Sequence, residues 1–482
     1  MTTATPRKTG LLGPVVLSAG VLLLLVSPLM RGGNRYVALI PLELLGLAVM
    51  LGLLLRWALV RPLVETERVH TRLLLMLLVL SPMLLALVQL APLPAQLWAQ
   101  LPGHEVYMDT LKAAGASLEV RRPLSLGPTA TAASLLAGIP IAAALLLGYA
   151  ASLSQLRVLL RAVVVLAFAE VALGLLQTAG GEHSPLYFGA MSYGVPVGSF
   201  ANRNHFANYL AMALAAYLWL GYESVRAHGA ERSTRSFTRR HRVALWAAGG
   251  LVLVLGILLS RSRGGAMFGL GSAALALAAV SLRLNGWSRG LRFTVPLFAV
   301  LIVGAGALIG FDAVTSRLSG DQLAASAGFR GELARTSFEG ALAFWPWGSG
   351  WGTYPMVYPR FQPPSLPGFA NHAHMDYVEM LFEGGIFFVM LAAAFLWLAA
   401  QRAWRLARSA LRERTLDREA MAAALCGLGL LGLLLHSLVD FNLRIPANAI
   451  LGALLAGAYF RPLPLRKRRS YDRPSQPYSS MY

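Results

Sequence analysis

The sequence predicts an all-α polytopic membrane protein, and two observations predict it. Of the 482 residues, 56% are hydrophobic and only 13% are charged, so the mean hydropathy of +0.58 lies far outside the range of soluble globular proteins. In addition, apolar runs of about 20 residues, the length that crosses about 30 Å of hydrocarbon, recur along the whole chain. The single cysteine, Cys426, lies inside one of these runs, so the sequence offers no disulfide framework and no cysteine-based metal site.

The apolar runs predict about twelve transmembrane helices. They lie near residues 11–30, 36–55, 73–91, 131–150, 157–177, 204–221, 243–260, 264–282, 292–310, 376–400, 420–438 and 443–460. The first run follows Arg7 and Lys8 and has no small-residue cleavage site, so we expect an uncleaved helix rather than a signal peptide. The chain then divides into an N-terminus at 1–10, nine helices in 11–310, one large polar segment at 311–375, three helices in 376–460 and a basic tail at 461–482.

The cations predict the orientation in the membrane. The net charge of +20 could suggest a nucleic-acid partner, but the arginines sit in short clusters between apolar runs, where they usually set topology. Most of the 42 Lys and Arg residues fall on the side that carries both termini. The positive-inside rule therefore predicts cytoplasmic termini in a bacterial inner membrane. Segments 92–128, 178–203 and 311–375 then face the periplasm, and no nucleic acid is expected as a partner.

Two groups of cations start helices on the predicted outer face. Arg261 and Arg263 lie in the turn at 260–265, beside a helix N-terminus that already has positive character. With an anion present, such a turn is a phosphate cradle, and without one the two side chains reach lipid headgroups. Arg203 starts the sixth predicted helix next to Asn202, a plausible N-cap, and is followed by Asn204 and His205.

The large polar segment carries further candidates. Arg330 and Arg335 precede an aromatic stretch at 344–354, in which Trp347, Trp351 and Tyr354 could form a sugar-stacking platform or an interfacial belt. His372 and His374 follow, and a histidine can take a proton from a hydroxyl near neutral pH. Three acidic residues then share one face of the next helix, either as supporting residues or as favourable charges at its start, namely Asp376, Glu379 and Glu383.

Two absences restrict the chemistry. The sequence contains no Asp-x-Asp pair, which usually holds a metal-bound nucleotide sugar, and no Gly-rich phosphate-binding loop with lysine. We therefore expect no cofactor, no metal and no nucleotide, and a donor that has been activated in advance.

Taken together, these motifs resemble the O-antigen ligase and polymerase superfamily of bacterial envelope glycan enzymes. The resemblance rests on six blocks in order, which lie at 123–129, 198–207, 262–265, 330–353, 372–385 and 436–448. It implies a type C glycosyltransferase architecture with one large periplasmic loop, a core at about 198–400, and transfer of a glycan from an undecaprenyl-diphosphate carrier.

The resemblance also implies roles for residues. Arg263 and Arg330, with Arg261 and Arg203, would hold the donor diphosphate, and His374 or His372 would be the base. Met375 stands where many members have asparagine, so the choice between the two histidines stays open. Possible supporting residues are Asn202, Asn204, Arg335, Asp376, Glu379, Glu383 and Asp440.

Several alternatives remain at this point. The acceptor could be lipid A–core, as for a ligase, a second carrier-linked glycan, as for a polymerase, or a protein side chain. A lipid-linked glycan flippase or another twelve-span transporter has the same number of helices. Such a protein should carry polar residues deep in several helices and internal repeats. Here the interior exceptions are few, chiefly Glu43, Glu170 and Gln177, which favours an enzyme.

Overall fold

The computed structural model describes residues 12–59, 80–189, 193–227, 236–281, 320–413 and 417–462. The predicted N-terminus at 1–10, the predicted ninth helix at 292–310 and nearly all of the basic tail lie outside these residues. The first part of the polar segment, 311–319, lies outside them as well.

Helices form almost all of the described structure. In chain order they are α1 (Leu12–Val26), α2 (Leu29–Gly32), α3 (Tyr36–Leu59), α4 (Leu80–Leu90), α5 (Ala95–Ala99), α6 (Glu105–Ala113), α7 (Pro128–Ala150), α8 (Leu153–Ala179), α9 (Arg203–Ala227), α10 (Ser236–Leu259), α11 (Gly271–Ser281), α12 (Gly320–Ala343), α13 (Tyr354–Val357), α14 (Asp376–Glu413), α15 (Arg418–His436) and α16 (Pro446–Phe460). A π-helical segment, Gly265–Leu270, leads into α11, and short 3₁₀ segments occupy Pro185–Tyr187, Tyr358–Arg360 and Asn442–Arg444. The strands β1 (Pro92–Leu93) and β2 (Arg122–Pro123) pair antiparallel.

The all-α membrane architecture is confirmed. Apart from the run at 292–310, each predicted apolar run contains a helix within the described residues. Six helices are long and apolar enough to cross a membrane: α3, α7, α8, α10, α14 and α15. Four more apolar helices are shorter, namely α1, α4, α16 and the continuous π-helical and α11 segment. The total of twelve spans stays a prediction.

Glycines allow the membrane helices to pack backbone against backbone. A Cβ on Gly148 of α7 would lie 2.2 Å from the carbonyl oxygen of Leu454 on α16. Conversely, a Cβ on Gly457 of α16 would lie 2.0 Å from the carbonyl oxygen of Leu145. Small residues at such crossings favour helix association in lipid. Behind this pair, α9 runs through the middle of the main core, where Tyr209 and Trp219 are fully buried.

A second, smaller core lies in the segment predicted to face the periplasm. Its largest members are Phe344, Tyr354, Tyr358 and Phe382, so it joins α12, α13 and the start of α14. Segment 92–127 is attached to it by hydrogen bonds from Leu126 N to Ser349 O at 3.0 Å and from Arg360 Nη1 to Gly103 O at 2.9 Å. From residue 320 onwards, the large polar segment is therefore folded, and it includes the 24-residue helix α12.

Candidate active site

Buried serines build the arginine turn between α10 and the π-helical segment. Ser260 Oγ accepts a hydrogen bond from Ser262 N at 3.2 Å, and Ser262 Oγ accepts one from Gly265 N at 3.1 Å. Both hydroxyls are buried, whereas the side chains of Arg261 and Arg263 are exposed. The local sequence thus fixes the backbone from inside and leaves both guanidinium groups free to meet a ligand.

Glycines bring this turn against two other helices. A Cβ on Gly264 would lie 2.2 Å from Nε2 of His436, the last residue of α15. A Cβ on Gly265 would lie 2.5 Å from Cβ of Ala207 on α9. The Arg-Gly-Gly sequence therefore serves two purposes, because the glycines permit a close approach that places the arginines beside α9 and α15.

Four arginines from three parts of the chain converge here. Arg203 begins α9, where Asn202 Oδ1 accepts from Asn204 N at 2.8 Å, as expected for the predicted N-cap. The positive charges of Arg261, Arg263 and Arg330 all act on the Arg203 guanidinium. Within the described parts of the chain, none of these four exposed side chains has a carboxylate or hydrogen-bond partner. Like charges held together without a counter-charge make a candidate anion site.

Arg335 behaves differently from these four arginines. It forms an ion pair with Glu339 one helical turn later, and both side chains are more than half exposed. Such pairs contribute little to stability. The sequence prediction grouped Arg335 with the possible supporting residues, and the structure instead pairs it on the surface of its own helix.

Asp440 is the centre of a second cluster, next to the arginines. Its Oδ2 accepts from Asn204 Nδ2 at 2.6 Å and its Oδ1 accepts from Phe441 N at 2.9 Å. Nδ1 of His374 lies 3.5 Å and Nε2 of His205 lies 3.9 Å from Oδ1. Burial alone would raise the pKa of Asp440, but the interaction with His374 and the charges of the surrounding histidines hold it well below its usual range. Asp440 is therefore a carboxylate at neutral pH.

His436 connects the two clusters. The imidazole of His436 interacts electrostatically with Asp440 and with the positive charge of Arg330. Its ring also packs on Gly264, which is next to Arg263 in the chain. The anion site and the Asp440 cluster are thus neighbours on one face of the molecule.

The two candidate histidines have different partners. His374 is 28% exposed, and its Nδ1 faces Asp440, which leaves the other ring nitrogen for a substrate. Its φ of +51° is unusual for histidine and marks a backbone held in place by its surroundings. His372 is 16% exposed, its Nδ1 lies 3.0 Å from Glu379 Oε1, and its ring stacks on Phe441. This geometry favours His374 as the base.

A buried ion-pair network of Glu379, Glu383 and Arg444 lies next to His372. Glu379 Oε2 accepts from Ala373 N at 2.9 Å, and Arg444 Nε lies 3.1 Å from Glu379 Oε1. Arg444 Nη2 also donates to Glu383 Oε2. Burial alone would lower the pKa of Arg444, but the carboxylates of Glu383 and Glu379 raise it further above its ordinary value. Arg444 was not among the predicted residues, because its partner Glu383 lies 61 residues earlier in the chain and no local pattern joins the two.

The third predicted supporting carboxylate, Asp376, ties two chain segments together. Its backbone N–H donates to Ser437 O at 3.1 Å, and its Oδ2 accepts from Leu443 N at 2.8 Å. It is fully buried. Asp376 therefore attaches the start of α14 to the segment that carries Asp440.

The glycine-rich loop at 348–353 packs on the same network. Ser349 N donates to Phe382 O at 3.0 Å and Gly350 N donates to Glu383 O at 3.1 Å. Gly348 has a φ of +77°, and a Cβ there would lie 2.3 Å from the carbonyl oxygen of Glu383. A glycine is required at this position because the loop backbone touches the backbone of α14.

The structure divides the three predicted sugar-platform residues. Trp347 is 39% exposed, and Trp351 is partly buried with the Arg444 guanidinium 5.5 Å from its ring centre. Tyr354 is fully buried, is stacked on Tyr358 and is hydrogen bonded through its hydroxyl to Ser337. Tyr354 thus offers no free ring face to a sugar, because aromatic residues of this segment were needed for the outer core.

Two of the predicted interior polar residues shape the segment before α9. Glu170 accepts from Ser199 N at 2.7 Å and from Ser199 Oγ at 2.6 Å. Gln177 Oε1 accepts from Gly198 N at 2.9 Å. Both side chains are buried and hold segment 197–199, which leads to Arg203. These hydrogen bonds explain why two polar side chains are buried in α8.

Several buried polar atoms behind Asp440 have no partner in the described protein. They are Nε2 of His205, both amide atoms of Asn208, Nδ2 of Asn442, Oδ1 of Asn448 and Nδ1 of His436. A buried polar group left unsatisfied costs about 1–3 kcal/mol, so we expect further polar partners for these atoms.

The close fit of Gly264 can be tested directly. We expect Gly264→Ala to displace His436 and to destabilise the protein by about 1–3 kcal/mol, as overpacking does. The φ of −62° at this position suits alanine, so the imidazole contact is the only obstacle. Thermal unfolding in detergent measures the effect. The double variant Gly264→Ala/His436→Ser should be more stable than Gly264→Ala, because serine at position 436 leaves room for the added methyl group. Unchanged unfolding of Gly264→Ala would contradict the packing.

Part of the chain that contains this site matches a known protein family. The family model described as O-antigen ligase matches residues 248–393. The match contains the arginine turn, Arg330, both candidate histidines and the start of α14. No curated protein matches the chain.

Proposed function

We propose that this chain is an inner-membrane glycosyltransferase of the O-antigen ligase and polymerase superfamily that acts on the periplasmic face. It moves a glycan from undecaprenyl diphosphate to an acceptor hydroxyl, without metal or nucleotide. The family match at residues 248–393 supports this proposal. The observation that carries this proposal is the convergence of four arginines, which have no partner among the described residues, beside the His374 and Asp440 pair.

The arginines suit a lipid diphosphate as leaving group. When the acceptor oxygen forms a bond to the anomeric carbon, the bond from that carbon to the diphosphate oxygen breaks and negative charge grows on the diphosphate. The guanidinium groups of Arg263 and Arg330 stabilise this charge through charge-assisted hydrogen bonds. A single displacement of this kind inverts the anomeric configuration.

His374 suits the opposite half of the reaction. Its Nδ1 faces the ionised Asp440, so the other ring nitrogen can accept the proton of the acceptor hydroxyl. Asp440 then stabilises the imidazolium that forms, as a buried carboxylate does for a catalytic histidine. His372 lacks this arrangement because it is engaged with Glu379.

The arginine variants test the proposal. We expect Arg263→Ala and Arg330→Ala each to lower transfer by about 10²–10³-fold, the usual result of removing one donor to a developing anion. The assay uses purified protein with an undecaprenyl-diphosphate oligosaccharide and an acceptor, in the presence of chelator. Arg335→Ala is the matched control on the same helix as Arg330, and we expect it to retain activity because Arg335 pairs with Glu339. Products at the wild-type level from both site variants would contradict the diphosphate role.

The same assay separates the possible acceptors. Transfer to lipid A–core identifies a ligase, and lengthening of the carrier-linked glycan alone identifies a polymerase. A protein acceptor is the third option. If no acceptor is used, a flipping assay with the same lipid in vesicles tests the transporter alternative.

A further inference from the structure

We propose that a cluster of ordered water molecules occupies the space among His205, Asn208, Asn442 and Asn448, and that this water cluster holds His205 against Asp440. The catalytic part of this inference rests on the proposed function, whereas the presence of the water does not.

Contacts join Asn448 to His205 and Asn442, and helix geometry places Asn208 on the same side of α9 as His205. Asn448 Nδ2 donates to His205 O at 3.2 Å and approaches Asn442 Oδ1 at 3.5 Å. Asn208 follows His205 by three residues on α9, so both project from the same side of the helix. All four residues are at most 3% exposed. Parts of each side chain nevertheless lack a hydrogen-bond partner within the described protein.

Their chemistry identifies water as the occupant. The unpartnered atoms include donors, such as Asn442 Nδ2, and acceptors, such as Asn448 Oδ1, and Asn208 has one of each. A water molecule can donate and accept at the same site, and buried water typically makes about three hydrogen bonds to such groups. Several polar partners within one small volume satisfy that requirement.

Close apolar packing lies on the inner side of these residues. One turn beyond Asn208, Met212 Sδ lies 3.9 Å from the position of a Cβ on Gly452. A further turn along α9, Ala215 Cβ lies 3.0 Å from the position of a Cβ on Gly429. This tight apolar packing confines the water cluster to the region behind Asp440.

His205 links the water cluster to the candidate catalytic pair. Its ring packs edge-on against Phe441 at 4.7 Å, and the rings of His372 and His374 contact the same Phe441. Its Nε2 lies 3.9 Å from Asp440 Oδ1, too far for a direct hydrogen bond, so water is the remaining partner for this atom. His205 is therefore a positioning residue that acts through Asp440.

Hydroxyl-radical footprinting by X-rays in ¹⁸O-labelled water tests for the cluster without any activity assay. Bound water generates radicals locally, so we expect oxidation of Phe441 and Met212, although both are buried. Tyr354 and Phe382, buried in the outer core, are the controls that should stay unmodified. Asn208→Leu should abolish labelling of Phe441 and Met212. Wild-type protein that shows no labelling there would overturn the water cluster, whatever the transfer assay gives.

The pH dependence of transfer tests the positioning role. We expect Asn208→Leu to lower kcat about tenfold, a fraction of the 10²–10⁴ that general-base catalysis contributes, and to shift the pH profile with little change in KM. Asn208→Ser, which keeps a hydroxyl and makes room for another water, should retain the profile. Trp219→Phe is the control, because it removes another unpartnered buried N–H farther along α9. A wild-type profile in Asn208→Leu, with labelling lost, would overturn the positioning role. Inactive wild-type protein with labelling intact would count against the proposed function instead.

Discussion

Replacement of His374 by asparagine is expected to lower glycan transfer about 10²–10⁴-fold, the contribution of a general base. Protein stability should be retained, because His374 has a φ of +51° and asparagine tolerates this left-handed conformation better than most residues. The reconstituted transfer assay, combined with thermal unfolding in detergent, measures both quantities on the same preparation.

His372→Asn is the matched comparison for this prediction. His372 lies two residues away, contacts the same Phe441 and is bonded to Glu379 instead of Asp440. We expect it to lose some stability and much less transfer than His374→Asn. The reverse order of the two transfer rates would assign the base to His372.

Much of this architecture follows from hydrophobic runs alone. A run of about 20 apolar residues has few alternatives to a membrane helix, so the helices were found wherever the described residues test them. The N-cap at Asn202 was predicted for a similar reason, because capping depends on local sequence.

The candidate site could be predicted only in part. The resemblance implied that Arg203, Arg261, Arg263 and Arg330 hold one diphosphate, and in the structure the charges of the other three act on the Arg203 guanidinium. Their arrangement around His436 could not be predicted, since it depends on the absence of a Cβ at Gly264 and thus on how α15 packs.

Tertiary packing distinguishes residues that look equivalent in the sequence. Tyr354 and Trp351 are equally aromatic in the sequence, but only tertiary packing shows that Tyr354 fills the outer core. Likewise, Glu379 and Glu383 were found through helical periodicity, whereas their partner Arg444 lies more than 60 residues later. A long-range ion pair leaves no periodic signal.

The largest expected loss of stability comes from Arg444→Met. Arg444 is the cation between Glu379 and Glu383, whose side chains are 2% and 1% exposed, and it also lies over the Trp351 ring. Removing one partner of a buried ion pair leaves uncompensated charge and typically costs about 3–5 kcal/mol. Thermal unfolding in detergent should show this loss. We also expect the glycine-rich loop to be attached more weakly.

Two further variants separate lost charge balance from lost packing. In Arg444→Met/Glu379→Gln/Glu383→Gln the three charges are removed together, so much of the stability should return, because no buried charge stays unpaired. Arg335→Met breaks the exposed pair with Glu339 and should cost no more than about 1 kcal/mol. If the triple variant is no more stable than Arg444→Met, the contribution of Arg444 is packing against Trp351. In that case Glu379 and Glu383 would not be the reason for a cation at position 444.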